Sequence, residues 1–541
     1  MSKRHQRNFF FLADSKQVRG DVCRPATESE QERAFRFSEI VASSAAPASD
    51  ELLESLAVAM ISGAETDSTV PAGYTYLGQF IDHDLTLDKT DVSFGTPVTV
   101  AELRQGRSPT LDLDSLYGLG PRLEPVFYEA DGVRFKLGKT KESGGNDVAT
   151  RSLDDFDLPR KGTATADPDE VRQALIPDRR NDENLIVGQT HLAFMRFHNA
   201  VCVKLAKESV PSALLFESAR ELVVKHYQWM VVNDFLPRIV DPAIVTDVFT
   251  NGRKVFEPDS SGNPTMPIEF SVAAYRVGHS MIRDKYDWNA IFGTGGIFGD
   301  IGTLLNLFRF SGTSGNLSPG TNVNNPLEGT FERLPTNWIA DWTRLYDFAG
   351  DGTPELASET TLNFARTIDT HLTNPLAELP IGSFATRGQI INGLPLNLAF
   401  RNLVRGRMVN LATGQEVAAH IAGLIPDAPP GLTPTQIVGT DLPSLSKSAR
   451  AELETATPLW FYILREAELN GGKLGTVGGR IVAETFHRAI EGGAISILRD
   501  PSFAPTLGPD AATFRMTDLL RVAYDASRGE LRPLSPNAPR P

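Results

Sequence analysis

Tyr76-Leu77-Gly78-Gln79-Phe80-Ile81-Asp82-His83-Asp84-Leu85 is the most telling segment of the sequence. A histidine between two carboxylates, with a glutamine four residues earlier, is unusual in an otherwise apolar helix. On a helix Gln79 and His83 share a face at i, i+4, while Asp82 and Asp84 point to different sides. Two polar groups facing one way can manage a small polar ligand. The same residues also suit a solvated helix end with a capped histidine.

Helical periodicity continues outward from this segment. It covers Asn184 to Lys207, Ser212 to Phe235, Ile268 to Ile282, Gln415 to Leu424, Ala456 to Leu469 and Thr476 to Ile495. Loops rich in Gly, Pro, Ser and Asn intervene, such as Gly312 to Gly329 and Pro426 to Thr435. Strand signals are few and short, around Gly132 to Leu137 and Asn251 to Phe256. The expected fold is mainly α: one large helical domain with few short strands and long loops. Residues 1–50 read as an N-terminal arm, 51–527 as the domain and 528–541 as a C-terminal tail.

The 541 residues are 41% hydrophobic and 22% charged, which fits a globular chain rather than a disordered or fibrous one. A net charge of −14 without a basic stretch argues against a nucleic-acid partner. No apolar run approaches the roughly 20 residues of a membrane-spanning helix. The basic start Lys3-Arg4-His5-Gln6-Arg7 leads only into Phe9 to Ala13, closed by Asp14-Ser15-Lys16, which is too short for a signal-peptide core. The expectation is a cytoplasmic chain or one exported by a leaderless route. Cys23 and Cys202 exclude a disulfide framework; two free thiols are favoured over a single bridge.

Three further stretches could carry chemistry. In Pro177-Asp178-Arg179-Arg180-Asn181-Asp182-Glu183-Asn184, Arg180 and Glu183 also suit a plain i, i+3 ion pair at a helix start. His191 and His198 follow, two turns apart, and read as hydrogen-bonded packing residues. In Ala274-Tyr275-Arg276-Val277-Gly278-His279-Ser280, the glycine before His279 lets a flat group approach the backbone, and Arg276 could pair with a carboxylate of that group. A lone buried histidine is more often an ordinary core residue. In Ser108-Pro109-Thr110-Leu111-Asp112-Leu113-Asp114, alternating oxygen donors suit Ca²⁺ and equally an Asp-rich turn without metal.

Taken together and in order, these stretches resemble the haem peroxidases of the peroxidase-cyclooxygenase superfamily, the group of the myeloperoxidase-like animal enzymes and their bacterial relatives. The resemblance runs from about Tyr74 to Gln415, with the Leu111 to Gly118 loop similar to the bacterial form. Phe400-Arg401-Asn402-Leu403-Val404-Arg405-Gly406-Arg407 resembles the stretch that carries the partner of the proximal histidine. The resemblance implies haem b, with His279 as iron ligand and Asn402 bonded to its other ring nitrogen. It implies His83 as the distal acid–base, Arg180 as its cationic partner and Gln79 beside them. Arg276 and Arg405 would meet haem propionates, and Asp82 and Glu183 match carboxylates that form ester links. Asp84, Ser108, Thr110, Asp112 and Asp114 would hold Ca²⁺. Asn184 stands where myeloperoxidase has a methionine with a sulfonium link, so at most two ester bonds are expected.

The implied function is reduction of hydrogen peroxide with oxidation of a small donor, whether halide, thiocyanate, phenol or another organic molecule. A fatty-acid dioxygenase of the same superfamily is the nearest alternative. Those enzymes resemble this chain at both histidines but place a radical-forming Tyr three residues before the proximal one, where Arg276 stands here. A non-catalytic adhesion protein on the same fold is the alternative from another class, suggested by Arg19-Gly20-Asp21.

Overall fold

The computed structural model describes residues 35–535, apart from 62–64, 163–164, 166–169, 260–262, 300–301, 315–331, 359–360, 380–392, 441 and 443–444, and the strand residues 10–11, 16–19 and 22–25. The helices that frame the site are α1 (Asp50–Ile61), α2 (Gly73–Leu85), α3 (Leu185–Lys207), α4 (Ser212–Met230), α5 (Leu398–Met408), α6 (Gly414–Leu424), α7 (Leu459–Leu469), α8 (Thr476–Gly492) and α9 (Met516–Ala523). The architecture is mainly α. Strands are short and occur in pairs, with one three-stranded sheet in the arm.

α3 is the central element. α2, α4 and α9 pack on it, and all of its first eleven residues are buried. Asn184 starts it by accepting from the Val187 amide at 3.0 Å, an ordinary N-cap. Phe80 of α2 stacks on Phe194 of α3 with ring centres 4.4 Å apart. α2 begins at a glycine because a Cβ on Gly73 would fall 2.3 Å from the Tyr346 ring.

The segment expected as a helix over Ile268 to Ile282 is two other structures. Glu269–Ala274 is a π-helical turn and Arg276–His279 a 3₁₀ turn, joined at Tyr275 (φ −96°, ψ 0°). The Arg276 side chain takes up the Ser271 carbonyl with its Nε at 2.9 Å. Likewise, helix α4 passes into a π-helical stretch at Val231–Phe235. Such widened turns often mark functional sites.

Neither expected strand forms. Around Gly132 to Leu137 there is one bridge, Tyr128 to Phe135. Both backbone groups of Phe135 are occupied by the Asn199 side chain, at 2.8 and 2.9 Å. At the second site, Asn251 closes a helix that starts at Pro242. The amides of Lys254, Val255 and Phe256 all donate to the Glu484 carboxylate, at 3.0, 2.7 and 2.8 Å. A carboxylate thus takes the donors that a sheet ladder needs.

The arm is tied down along its second half. Phe37–Ser38 pairs in parallel with Met266–Pro267. Ile40 and Val41 amides donate to Glu269, Ser44 to Glu416 and Ser49 to Glu452. At the other end, the expected extended tail begins with a short helix, Arg528–Leu531, and buries Leu531, Arg532 and Leu534. Arg196 holds this helix through Glu530 at 2.6 Å. Cys202 is a buried free thiol; the side chain of Cys23 and residues Gly20 and Asp21 of the Arg-Gly-Asp motif lie outside the described residues. Among the described residues no helix is long and apolar enough to cross a membrane.

Candidate active site

α2 packs against both the 3₁₀ turn Arg179–Asp182 and the 3₁₀ turn Arg276–His279, and the space that their polar side chains border is the candidate cleft. Gln79, Asp82, Arg180, Glu183, Arg276 and His279 are all partly exposed, although the elements that carry them are mostly buried. Burial pushes both His83 and His279 down to about 3, with Arg180 adding to the first and Arg276 to the second. Both rings are therefore neutral at ordinary pH.

The proton arrangement on His83 follows from its partner. Its Nδ1 lies 2.8 Å from Asn181 Oδ1, which can only accept. Nδ1 therefore donates, and Nε2 carries the lone pair. Nε2 points toward Glu183, whose Oε1 is 3.6 Å away. Burial raises the Glu183 carboxyl to about 7, against the opposing effects of Arg180 and Gln79. Gln79 Nε2 donates to Glu183 at 2.6 Å, and Asn184 Nδ2 donates to Gln79 Oε1 at 2.8 Å. Asn184 thus has a second task beside capping α3: it fixes which way the Gln79 amide faces.

Arg180 forms no ion pair with Glu183. It folds back on Asp178, with Nε at 3.1 Å and Nη2 at 2.7 Å, and its Nη2 also reaches the His83 carbonyl at 3.1 Å. Among the described residues nothing bonds its Nη1, and 26% of the side chain is exposed.

On the other side, Asn402 Nδ2 on α5 lies 2.7 Å from His279 Nδ1, so that as it stands the amide donates and Nδ1 accepts. Rotating the amide by 180° presents its oxygen instead; Nδ1 then donates and the Nε2 lone pair is left for a metal. Two observations leave this face open to a flat group with a metal centre. Nε2 has no protein partner among the described residues, and a Cβ added to Gly278 would meet nothing within 4 Å. Arg276 and Arg405 come close enough for the charge of one to depress the other, and Arg405 is paired with Asp88. Tyr275 turns away from His279: its ring stacks on Phe270 at 4.7 Å, and its hydroxyl lies 3.9 Å from where a Gly78 Cβ would be.

The second cluster lies behind α2. Carboxylate oxygens of Asp84, Asp112 and Asp114 fall within 4.8 Å of one another. Ser108 Oγ donates to Asp112 and lies 3.0 Å from Thr110 Oγ1, so the five expected oxygen donors are together. Leu113 holds a left-handed conformation (φ 58°) that turns Asp112 and Asp114 to the same side. Asp84 Oδ1 is buried without a hydrogen-bond partner. Burial and the charges of Asp114 and Asp112 push its carboxyl well above the usual range. Three clustered carboxylates with an orphaned oxygen are the chemistry of a hard divalent cation.

His198 is hydrogen-bonded to Tyr117 and the Val133 carbonyl, both at 3.0 Å. His191 differs from expectation: it is fully buried, and neither ring nitrogen has a partner among the described residues. Asn181, Asp178 and Arg107 belong to the site although the sequence did not single them out. Asp178 had a signal, since an Asp before a helical turn is a cap. Asn181 had none.

Residues 96–294 match the animal haem peroxidase family. Over its full length the chain superposes on peroxidase A of Dictyostelium discoideum, with a TM-score of 0.53 at 14% identity, covering 98% of this chain and 99% of that one. The likeness to this structure is one of fold. The fatty acid alpha-dioxygenase of Oryza sativa shares the fold as well (TM-score 0.53, 14% identity, 97% and 88% covered). Among curated relatives, a peroxidase-like protein of Margaritifera margaritifera is 32% identical over 152 residues, covering 26% of this chain and 19% of that protein. Human thyroid peroxidase is 29% identical over 189 residues, covering 33% and 19%. The matched part thus spans about a fifth of the length of these relatives.

Proposed function

We propose that the chain is a haem peroxidase, which reduces hydrogen peroxide and oxidises a small donor. The observation that carries this reading is the pair of buried histidines, one on α2 and one on the 3₁₀ turn that packs against α2, each with a side-chain amide at its Nδ1 and no protein hydrogen bond at Nε2 among the described residues. His279 would hold the iron through Nε2, with Asn402 fixing its ring. Arg276 and Arg405 would meet the propionates, and Asp82 and Glu183 would form the ester links. Asp84, Ser108, Thr110, Asp112 and Asp114 would hold Ca²⁺. The chemistry that haem supplies when bound is the electron exchange: two electrons to the peroxide, recovered from the donor.

The side chains do the rest. His83 accepts the peroxide proton at Nε2 and returns it to the departing oxygen, so that water leaves rather than hydroxide. Its Nδ1–H bond to Asn181 keeps it in the tautomer that this needs. Arg180 directs Nη1 at the negative charge that develops as the O–O bond lengthens, in a site with little water. Gln79 and Glu183 form a polar wall beside Nε2. The dioxygenase alternative wants a tyrosine where Arg276 shares the 3₁₀ turn with His279, and the Tyr275 phenol faces α2 instead.

The test is peroxide-dependent oxidation of guaiacol and bromide by the haem-loaded protein, beside His83→Ala. The proposal expects turnover that falls by about 10²–10⁴ in the variant while haem stays bound. Turnover equal in the two proteins would refute it, as would oxygen uptake with linoleate in place of peroxide consumption.

A further inference from the structure

We propose that Asp178 is a positioning residue for Arg180, and that Arg107 links it to the Asp84–Asp112–Asp114 cluster, so that a divalent cation there sets how firmly Arg180 is held back from the cleft. The proposal rests on Arg180 acting in the cleft as read above.

Asp178 is 5% exposed and accepts from both arginines at once. Arg107 donates through Nε at 3.0 Å and Nη2 at 2.6 Å. Arg180 donates through its backbone amide at 3.0 Å, Nε at 3.1 Å and Nη2 at 2.7 Å. The remaining nitrogen of Arg107, Nη1, lies 3.7 Å from Asp114 Oδ1 in the carboxylate cluster. A continuous string therefore runs from Asp114 through Arg107 and Asp178 to Arg180, largely out of water. Its ends are the cation site and the cleft.

The formal charges make the string responsive. With all four ionised, the aspartates at 84, 112, 114 and 178 facing the guanidinium groups of 107 and 180 leave two negative charges, which one divalent cation balances. Without the cation, Arg107 has to serve Asp114 as well as Asp178. Asp178 then draws harder on Arg180. With the cation, Asp114 is neutralised and Arg107 serves Asp178 fully. The hold on Arg180 loosens, and more of its charge is available to an anion in the cleft. At the short distances of this buried string such shifts of charge are felt strongly.

Azide serves as the probe anion, read from the Soret band of the holoenzyme with Ca²⁺ and after stripping by chelator. We expect azide to bind about tenfold more tightly with Ca²⁺, and calorimetry to show Ca²⁺ binding about tenfold more tightly with azide, since coupling is reciprocal. In Arg107→Gln and in Asp178→Asn both ratios fall below about threefold. Asn preserves the cap at 178 and removes its charge. Arg107→Lys keeps the charge and restores part of the ratio, which a loss of fold would not. A wild-type ratio near one overturns the proposal, as does an undiminished ratio in Arg107→Gln, since the cation would then act through space alone. A chain that develops no Soret band refutes the haem reading instead. Calorimetry of the stripped protein still decides the Arg107 link: Ca²⁺ binds Arg107→Gln more tightly than wild type if Nη1 opposes it, and equally if the link is absent.

Discussion

Replacing Asn181 with alanine removes the acceptor for His83 Nδ1–H without touching the cleft wall. The bond is 2.8 Å long and joins side chains that are 4% and 0% exposed, so water has little access to replace it. Leaving a buried donor unsatisfied costs about 1–3 kcal/mol of stability. The kinetic effect comes from the tautomer. A net hydrogen bond of about 1 kcal/mol, and somewhat more when buried, biases the ring toward Nδ1–H by about tenfold. Without it, the Nδ1–H form falls from about nine-tenths of the rings to about half, and the rest carry the proton on Nε2, where they cannot accept one from peroxide. Stopped-flow loss of the Soret band against peroxide concentration gives the second-order rate constant. Asn181→Ala should lower it about twofold with the resting spectrum unchanged, and Asn181→Asp, which still accepts, should retain most of it. A rate equal to wild type, with an unchanged denaturation midpoint, would refute the assignment of Asn181 and of the tautomer.

Glu484→Ala leaves the amides of Lys254, Val255 and Phe256 without their common acceptor, and should cost about 3–5 kcal/mol in urea denaturation. Glu269 is fully buried, and burial raises its carboxyl to about 7 from an ordinary 4.5. The folded state therefore binds a proton that the unfolded state releases, and stability falls as pH rises from about 4.5 through about 7. Glu269→Gln should abolish this contribution, matching wild type near pH 4 and exceeding it at pH 8 by up to about 3 kcal/mol; equal pH profiles would count against it. Chelator should lower the thermal midpoint of wild type, because a cation at a hundred times its Kd contributes about 2.7 kcal/mol. Asp84→Asn should start from the lower midpoint and show little further response.

The site's polar faces were legible where they repeat with the helical period. Gln79 and His83 share a face of α2, while Asp82 and Asp84 diverge to the cleft and to the cation cluster. Contacts made across the fold were not legible. Asn181 meets His83 from 98 residues away, and no local pattern marks it. Both strand errors have one cause: a distant side chain, Asn199 or Glu484, occupies backbone groups that propensity assigns to a ladder. The helix expected at 268–282 has the right apolar pattern, but the buried turns are π and 3₁₀, a difference of hydrogen-bond register that composition does not encode. Arg180 was paired with Glu183 by spacing, whereas the cap residue Asp178 lies closer along the chain and claims the guanidinium first.

The central claim is that His279 carries a haem in this cleft. Titrating the purified protein with haem and recording the absorption spectrum, in parallel with His279→Ala and Asn402→Leu, tests it most directly. The account predicts a saturable Soret band at one haem per chain in wild type, none of that form in His279→Ala, and an altered band in Asn402→Leu. A wild-type protein that takes up no haem, or a His279→Ala spectrum identical to wild type, would contradict it.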